Sequence, residues 1–464
     1  MRRLLFLSLL LAIVGWGTDR PQAAPAWTNP MGVPKPPVGI DEVAGQTTSR
    51  TIPSTMHSGD VIDARGSHGD VTVNAECSAR RPCFLRNGSF QRLRATGTGL
   101  IIEGITARNP DLTLDHSAIR DSEVIGDAVG GGIFTYGSTY LTVRNVFVHG
   151  VGDVNASTDQ DTHCIVVGTV GHHIWVLDSH LTHCSGDGVQ VNAWNDPQEG
   201  LHHIYIARNI IHDNRQSGLW AKQSVDVVFS ENRAWGFHPN SGGSGPCYGT
   251  QYGSKRLVII GNRGWDCHFG VNLRSSDDGL DPSTLVAWNV FHDLLRSPGT
   301  PDVAGNIQAE GPCMLLHTSG PHVIVGNDCV RTYAGIQVPP GAGSVTYSDN
   351  IFYRLKDVLI AVGGTTPITV GTDLVPPTDP RFVDSLDFRL RPGSPAKRQG
   401  IVNAVPAAYL ALTGRTYQAV HGVALPETGP RPDQGAYGPA ILRRTDVGPE
   451  PRQIQLEDRD FSGR

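Results

Sequence analysis

From Leu141 to Val362 the chain restates one phrase, and a repeat of this kind constrains the fold more than any other feature of the sequence. The phrase is a short β-branched strand, an Asn or Asp at a turn, a polar loop, then Gly and a second alternating strand. The first strands are LTVRNV from 141, HIWVLDSHL from 173, HIYIARNII from 203, DVVFSENRA from 226, RLVIIGNRG from 256, TLVAWNVF from 284, HVIVGNDCV from 322 and SVTYSDNIF from 344. Their turn residues, Asn145, Asp178, Asn209, Asn232, Asn262, Asn289, Asn327 and Asn350, are separated by 33, 31, 23, 30, 27, 38 and 23 residues. The shortest interval is close to the minimum for one coil of a parallel β-helix, and the longer ones are coils with inserted loops. Helical solenoids are excluded, because the apolar residues alternate with period two and no amphipathic run of helical period occurs. The predicted fold is all-β: a single right-handed parallel β-helix, a solenoid, with an N-terminal cap and an irregular C-terminal tail.

The second strands align as GIFTY from 132, CIVVG from 164, GVQVN from 188, GLWAK from 218, GTQYG from 249, GVNLR from 270, CMLLH from 313 and GIQVP from 335. Alternation sends positions two and four, such as Val189 and Val191, to the core and positions three and five to the outside. Two outward ladders result. The third-position ladder carries Gln190, Trp220, Gln251 and Asn272; the fifth carries Tyr136, Asn192, Lys222, Gly253, Arg274 and His317. With rungs about 4.8 Å apart, Lys222 and Arg274 stand about 10 Å apart across Gly253, a gap that suits a sugar ring, with Trp220 placed to stack on it.

The flanks complete the organisation. Arg2 and Arg3 precede an apolar run from Leu4 to Val14 and small residues up to Ala26, which reads as an export signal over 1–26 and is too short to span a bilayer. A linker is expected over 27–47, the β-helix with its N-terminal cap over 48–400, and a partly disordered extension over 401–464. The expected setting is secreted or periplasmic, in a bacterium, as a monomer without a membrane span. Eight cysteines fall as near neighbours, Cys77 with Cys83, Cys164 with Cys184, Cys247 with Cys267 and Cys313 with Cys329, which in an oxidising compartment reads as four local disulfides. The net charge of −6 becomes about −8 without residues 1–24, so a global basic surface for nucleic acid is excluded, while a polyanionic substrate requires locally concentrated cations.

The coil phrase, the Asn turns and the closing DFRLRPGSPA at 387–396 resemble the pectate-lyase-like β-helix superfamily over roughly residues 50–400, and within it the lysine-dependent polysaccharide lyases. The resemblance implies an acidic polysaccharide as partner and cleavage of a uronate-containing glycan by β-elimination. A Lys or Arg takes the proton at C5 while Ca²⁺ or an Arg neutralises the neighbouring carboxylate. It assigns Lys222 as base and Arg274 as carboxylate clamp or acid, with His317 on the next rung. Tyr136, Gln190, Asn192, Trp220, Gln251 and Asn272 are the candidate substrate contacts. Asp277, Asp278 and Asp281 resemble the family's calcium motif, although they follow Lys222 where that motif precedes its lysine; a solvated acidic turn is the other reading. Asp187, at the entry to GVQVN, is a further candidate for calcium, acid catalysis or turn chemistry, and Asp153, Asp159 and Asp161 precede CIVVG. Two alternatives stay open: a glycoside hydrolase, which needs paired carboxylates, and a non-catalytic glycan-binding solenoid.

Overall fold

The computed structural model describes residues 27–127, 131–194, 200–274, 282–294, 311–357, 359–363, 365–428 and 432–436. Each full coil contains three strands rather than the two the repeat suggests, and every strand pairs in parallel with its counterparts on the neighbouring coils. The first face holds Gly171–Leu177, Leu201–Ala207, Val225–Ser230, Leu257–Ile260 and their successors. The second holds His180–Cys184, Ile210–His212, Arg233–Phe237 and Arg263–Cys267. The third holds Ile165–Gly168, Val189–Asn192, Leu219–Lys222, Pro246–Gln251, Phe269–Leu273 and Pro312–Leu316. The second-face strands are the short segments directly after each turn Asn, too brief to stand apart in sequence.

Between the first and second faces an asparagine column closes the corner. Asn209, Asn232, Asn262, Asn289, Asn327 and Asn350 are all buried. The side-chain oxygen of each Asn from Asn232 onward accepts both the backbone N–H and the Nδ2–H of the Asn one coil before it, at 2.8–3.0 Å. A tight turn inside a solenoid buries backbone donors that no strand can satisfy, and an amide side chain is the group able to satisfy them while donating onward. The column begins at Ser179, whose hydroxyl accepts from Val146 N–H. Asn145 and Asp178, read from the sequence as turn residues of the same series, sit one place earlier and point outward: Asn145 donates to Asp121 and Asp178 takes Arg144 and Arg208.

The outer side of the first face is apolar, with Trp175, Tyr205, Val228, Val258 and Leu285 all buried. Two flanking segments cover it. In the stretch read as a linker, Met31 and Val33 pack against this face, held by Ser230 Oγ donating to Met31 O at 2.7 Å and Trp175 Nε1 donating to Pro34 O at 3.0 Å. After the solenoid, helices α1 (Ala404–Thr413) and α2 (Tyr417–His421) pack there through Val405, Tyr409 and Tyr417. Residues 1–26 lie outside the described residues, and no described helix is long and apolar enough to cross a membrane. All four cysteine pairs are disulfides, with Cα–Cα distances of 5.5–5.9 Å.

Candidate functional site

The third face carries the outward ladders, and their register differs from the sequence reading on one coil. Leu219 pairs with Tyr248, Trp220 with Gly249, Ala221 with Thr250 and Lys222 with Gln251. On the next coil Tyr248 pairs with Val271 and Gly249 with Asn272. The sequence alignment had placed Thr250 and Tyr252 inward, two residues too late. The reason is packing: Tyr248 is wholly buried and its hydroxyl reaches the carbonyls of Asn232 and Arg263 at 3.0 and 2.8 Å, whereas Tyr252 is 39% exposed. The neighbouring Cys247–Cys267 bridge ties the same strand to the end of the second-face strand Arg263–Cys267 on the following coil. A shift of two preserves which side chains face outward but changes their partners. The rung between Lys222 and Arg274 therefore carries Gln251, not Gly253, and the rung without a side chain lies beside Trp220. A Cβ on Gly249 would come within 2.2 Å of Trp220 Cζ3, so the indole rests over bare backbone.

Lys222, Gln251 and Arg274 thus form three successive rungs beside Trp220, on the floor of a cleft of about 360 Å³. Tyr252 and Gly243 also line it. His317 occupies the rung after Arg274, outside the cleft lining; burial and the Arg274 charge lower its pKa and favour the neutral imidazole. Tyr136 lies three rungs before Lys222, stacked on Phe134, and Asn192, one rung before Lys222, donates to Gln190.

Two predicted contact residues are almost wholly covered and do not line the cleft. Gln190 is 2% and Asn272 1% exposed, because loops 152–163 and 238–245 roof the third-position ladder. Gln190 donates to Asp187 Oδ2 at 3.0 Å, and Asn272 donates to Ser244 Oγ at 3.1 Å. Alternation correctly gave the face they occupy; it carried no information about the roof.

The roof brings in a carboxylate wall that the ladders alone did not contain. Asp159, Asp161 and Asp187 line the cleft with Lys222 and Arg274. Gln216 Nε2 donates to Asp159 at 2.7 Å and to Asp161 at 3.3 Å, while Arg215 links Asp159 (3.3 Å) to Ser241 (2.8 Å) in the second loop. Gly242 is required here, since a Cβ would meet Arg215 Nη1 at 2.5 Å. Asp187 is buried and accepts from Ser217 Oγ on one oxygen and Gln190 on the other. His163 lies between two of these acids: its Nδ1 accepts from Asp187 N–H at 2.8 Å, which puts the ring proton on Nε2, 3.3 Å from Asp161 Oδ1. That hydrogen bond holds the Asp161 carboxyl well below the usual carboxylate range against the opposing effect of burial, and the Lys222 charge adds to it.

Asp277, Asp278 and Asp281 lie outside the described residues. Among the described residues the acids of the cleft are not gathered tightly enough to offer three ligand atoms to one cation, and both oxygens of Asp187 are engaged by side-chain donors. The cations among the described residues that line the cleft are Lys222 and Arg274.

No family model and no curated protein sequence matches the chain. Among solved structures it is similar to pectate lyase Pel9A (11% identity, 83% of this chain and 89% of that one, TM-score 0.44). It is also similar to PfbA, a surface adhesin of Streptococcus pneumoniae (10%, 69% and 81%, 0.42), and to a GH136 lacto-N-biosidase from Eubacterium ramulus (13%, 69% and 62%, 0.42). Fold does not decide function, and the chemistry is argued from the cleft itself.

Proposed function

We propose that the protein is a carbohydrate-active β-helix that binds an acidic polysaccharide in the Lys222–Gln251–Arg274 cleft and cleaves it by β-elimination. The observation that carries this reading is Lys222 and Arg274 standing two rungs apart on one ladder with Gln251 between them, beside the edge of the buried Trp220 that reaches the cleft. Arg274 holds the uronate carboxylate through its two-pronged guanidinium, which makes the adjacent C5 proton removable. Lys222, after giving up its own proton to solvent, takes the C5 proton; the C5–H electron pair becomes the C4=C5 double bond, the C4–O4 bond breaks, and O4 leaves with a proton from solvent. Trp220 and Gln251 orient the ring by stacking and hydroxyl contact.

The carboxylate wall favours a second reading, hydrolysis. An ionised Asp161 could activate water, but a glycosidase also needs a protonated partner acid at a defined separation. One assay separates the readings: incubation with a panel of acidic polysaccharides, following the ultraviolet absorbance of unsaturated uronyl ends and, in parallel, reducing sugar. Absorbance that disappears in Lys222→Ala supports elimination. Reducing sugar without absorbance, abolished by Asp161→Asn, replaces elimination with hydrolysis, and saturable binding without products rejects both in favour of a recognition protein.

A further inference from the structure

The sequence repeats a His pair at one place in successive coils, GHHI at 171–174 and LHHI at 201–204, and the parallel register puts His172 against His202. This is the first face, on the far side of a coil from the cleft strands. His172 stacks on His202 with centroids 5.0 Å apart, and His173 on His203 at 4.7 Å and 6°. Stacking alone would leave the ring nitrogens pointing anywhere. Here His202 Nδ1 lies 2.7 Å from His203 Nδ1, and His172 Nδ1 lies 3.0 Å from His173 Nδ1. Ligand nitrogens of His173, His202 and His203 all fall within 4.8 Å of one another, and all three rings are only partly buried.

The protonation of His203 follows from its other contact. Its Nε2 is 3.0 Å from the carbonyl of Val420 in α2, and a carbonyl only accepts, so Nε2 carries the proton and Nδ1 presents a lone pair to the cluster. A ligating imidazole that donates its remote N–H to a backbone carbonyl is the usual support for a metal site. Among the described residues, the carboxylate paired with His203 is that of Asp226, 4.0 Å from Nδ1 and gripped by both prongs of Arg256 at 2.6 and 2.7 Å. The donor set is therefore imidazole nitrogen.

We infer that His173, His202 and His203 form a binding site for one borderline divalent cation of the zinc class, at the seam where α2 docks on the solenoid. Nitrogen-only donors select Zn²⁺ over the oxygen-seeking Ca²⁺ and Mg²⁺. Metal–nitrogen bonds of about 2.0–2.1 Å set tetrahedral neighbours roughly 3.3 Å apart, so the 2.7 Å pair opens by about 0.6 Å, within reach of small ring rotations. Bound there, the ion fixes His203, and through its bond to Val420 the C-terminal helix.

The test uses the mature chain without an affinity tag, stripped with chelator and titrated with Co²⁺. One ion per chain should bind, with visible absorption of a nitrogen-ligated centre, and Zn²⁺ should displace it. His173→Gln and His203→Gln should each weaken binding at least about tenfold. His212→Gln, in the separate His180–His212 pair on the second face, should leave it unchanged. Zn²⁺ should also raise the Tm of the wild type and not of His203→Gln. If a variant does not fold, X-ray absorption of the Zn²⁺-loaded wild type decides: a shell of about three imidazole nitrogens upholds the site and a shell of oxygens alone overturns it. Absence of saturable binding at about 100 μM Zn²⁺, or unchanged affinity in folded His173→Gln and His203→Gln, overturns it as well.

Discussion

Asn262→Ala tests whether the asparagine column holds the solenoid together. Asn262 is 1% exposed. Its Oδ1 accepts from Asn232 N and Nδ2 at 2.9 and 3.0 Å, and its Nδ2 donates to Phe229 O at 2.8 Å and Asn289 Oδ1 at 3.0 Å. Alanine keeps the backbone bond from Asn262 N to Asn289 Oδ1 but strips the buried Asn232 N–H of its acceptor. An orphaned buried donor costs about 1–3 kcal/mol, and each further neutral hydrogen bond lost costs about 1 kcal/mol. With one orphaned donor and three further bonds lost, the sum is roughly 4–6 kcal/mol, which corresponds to local opening about three to four orders of magnitude more frequent. Hydrogen exchange read by mass spectrometry over residues 226–234, with urea denaturation followed by Trp fluorescence, measures both quantities. Asn145→Ala is the comparison, since Asn145 is only half-buried and donates sideways to Asp121 outside the column, and should cost less than half as much. A loss below about 1 kcal/mol for Asn262→Ala, or equal losses for the two variants, refutes the claim that the column is a structural spine.

Three further outcomes follow from the same geometry. Gly249→Ala forces the indole of Trp220 off the backbone, because the new methyl would lie 2.2 Å from Cζ3 and from Asn272 O; the fold should survive with reduced Tm while glycan affinity falls about tenfold or more by isothermal titration. If Arg274 neutralises a carboxylate, Arg274→Lys should retain far more turnover than Arg274→Ala on an acidic polymer, and the two should be equally affected on a neutral one, as judged by kcat/KM. Acid should loosen the C-terminal helices: burial holds the His421 imidazole down at about 3 against an unfolded value near 6.5, so the unfolded state takes up the proton first. The stability contributed by neutral His421 is present above about pH 6.5 and declines as pH falls, by roughly 2 kcal/mol at pH 5, and His421→Phe should flatten that part of the Tm–pH curve.

The fold was legible because its determinants repeat. Each coil states its own corner residue, so Asn209 through Asn350 announce the column, and the cysteines announce their partners by proximity. Errors arose where one coil departs from the phrase. Ser179 begins the column in place of Asn, which made Asp178 look like the corner. The Tyr248/Tyr252 choice could not be made by alternation, since both tyrosines satisfy it; the deciding facts were the two carbonyls able to take the Tyr248 hydroxyl and the disulfide at Cys247, both of which depend on neighbouring coils. The outer cover of the first face was visible only as apolar residues in outward positions, Trp175 and Tyr205, a signal that says something must pack there without naming which segment does.

The site was legible in half. Residues on the ladder are placed by the repeat, so Lys222, Arg274 and Trp220 converge as their spacing requires. The opposing wall comes from insertions, and an insertion has no register. Asp159 and Asp161 could be listed as acidic loop residues, yet nothing local indicates that Gln216, from the strand approach two coils on, collects both of them. The signal that could have found them is the pairing of two long insertions, Asp-rich 152–163 and Gly-rich 238–245, on coils flanking the strongest outward aromatic. Loops that rise from the same corner of a solenoid on nearby coils must either diverge into solvent or close over the face between them, and buried Arg215, bonded to both, shows which of these occurs. The β-helix thus sets a row of side chains at fixed spacing, and the reaction is decided by which loops fold back over that row.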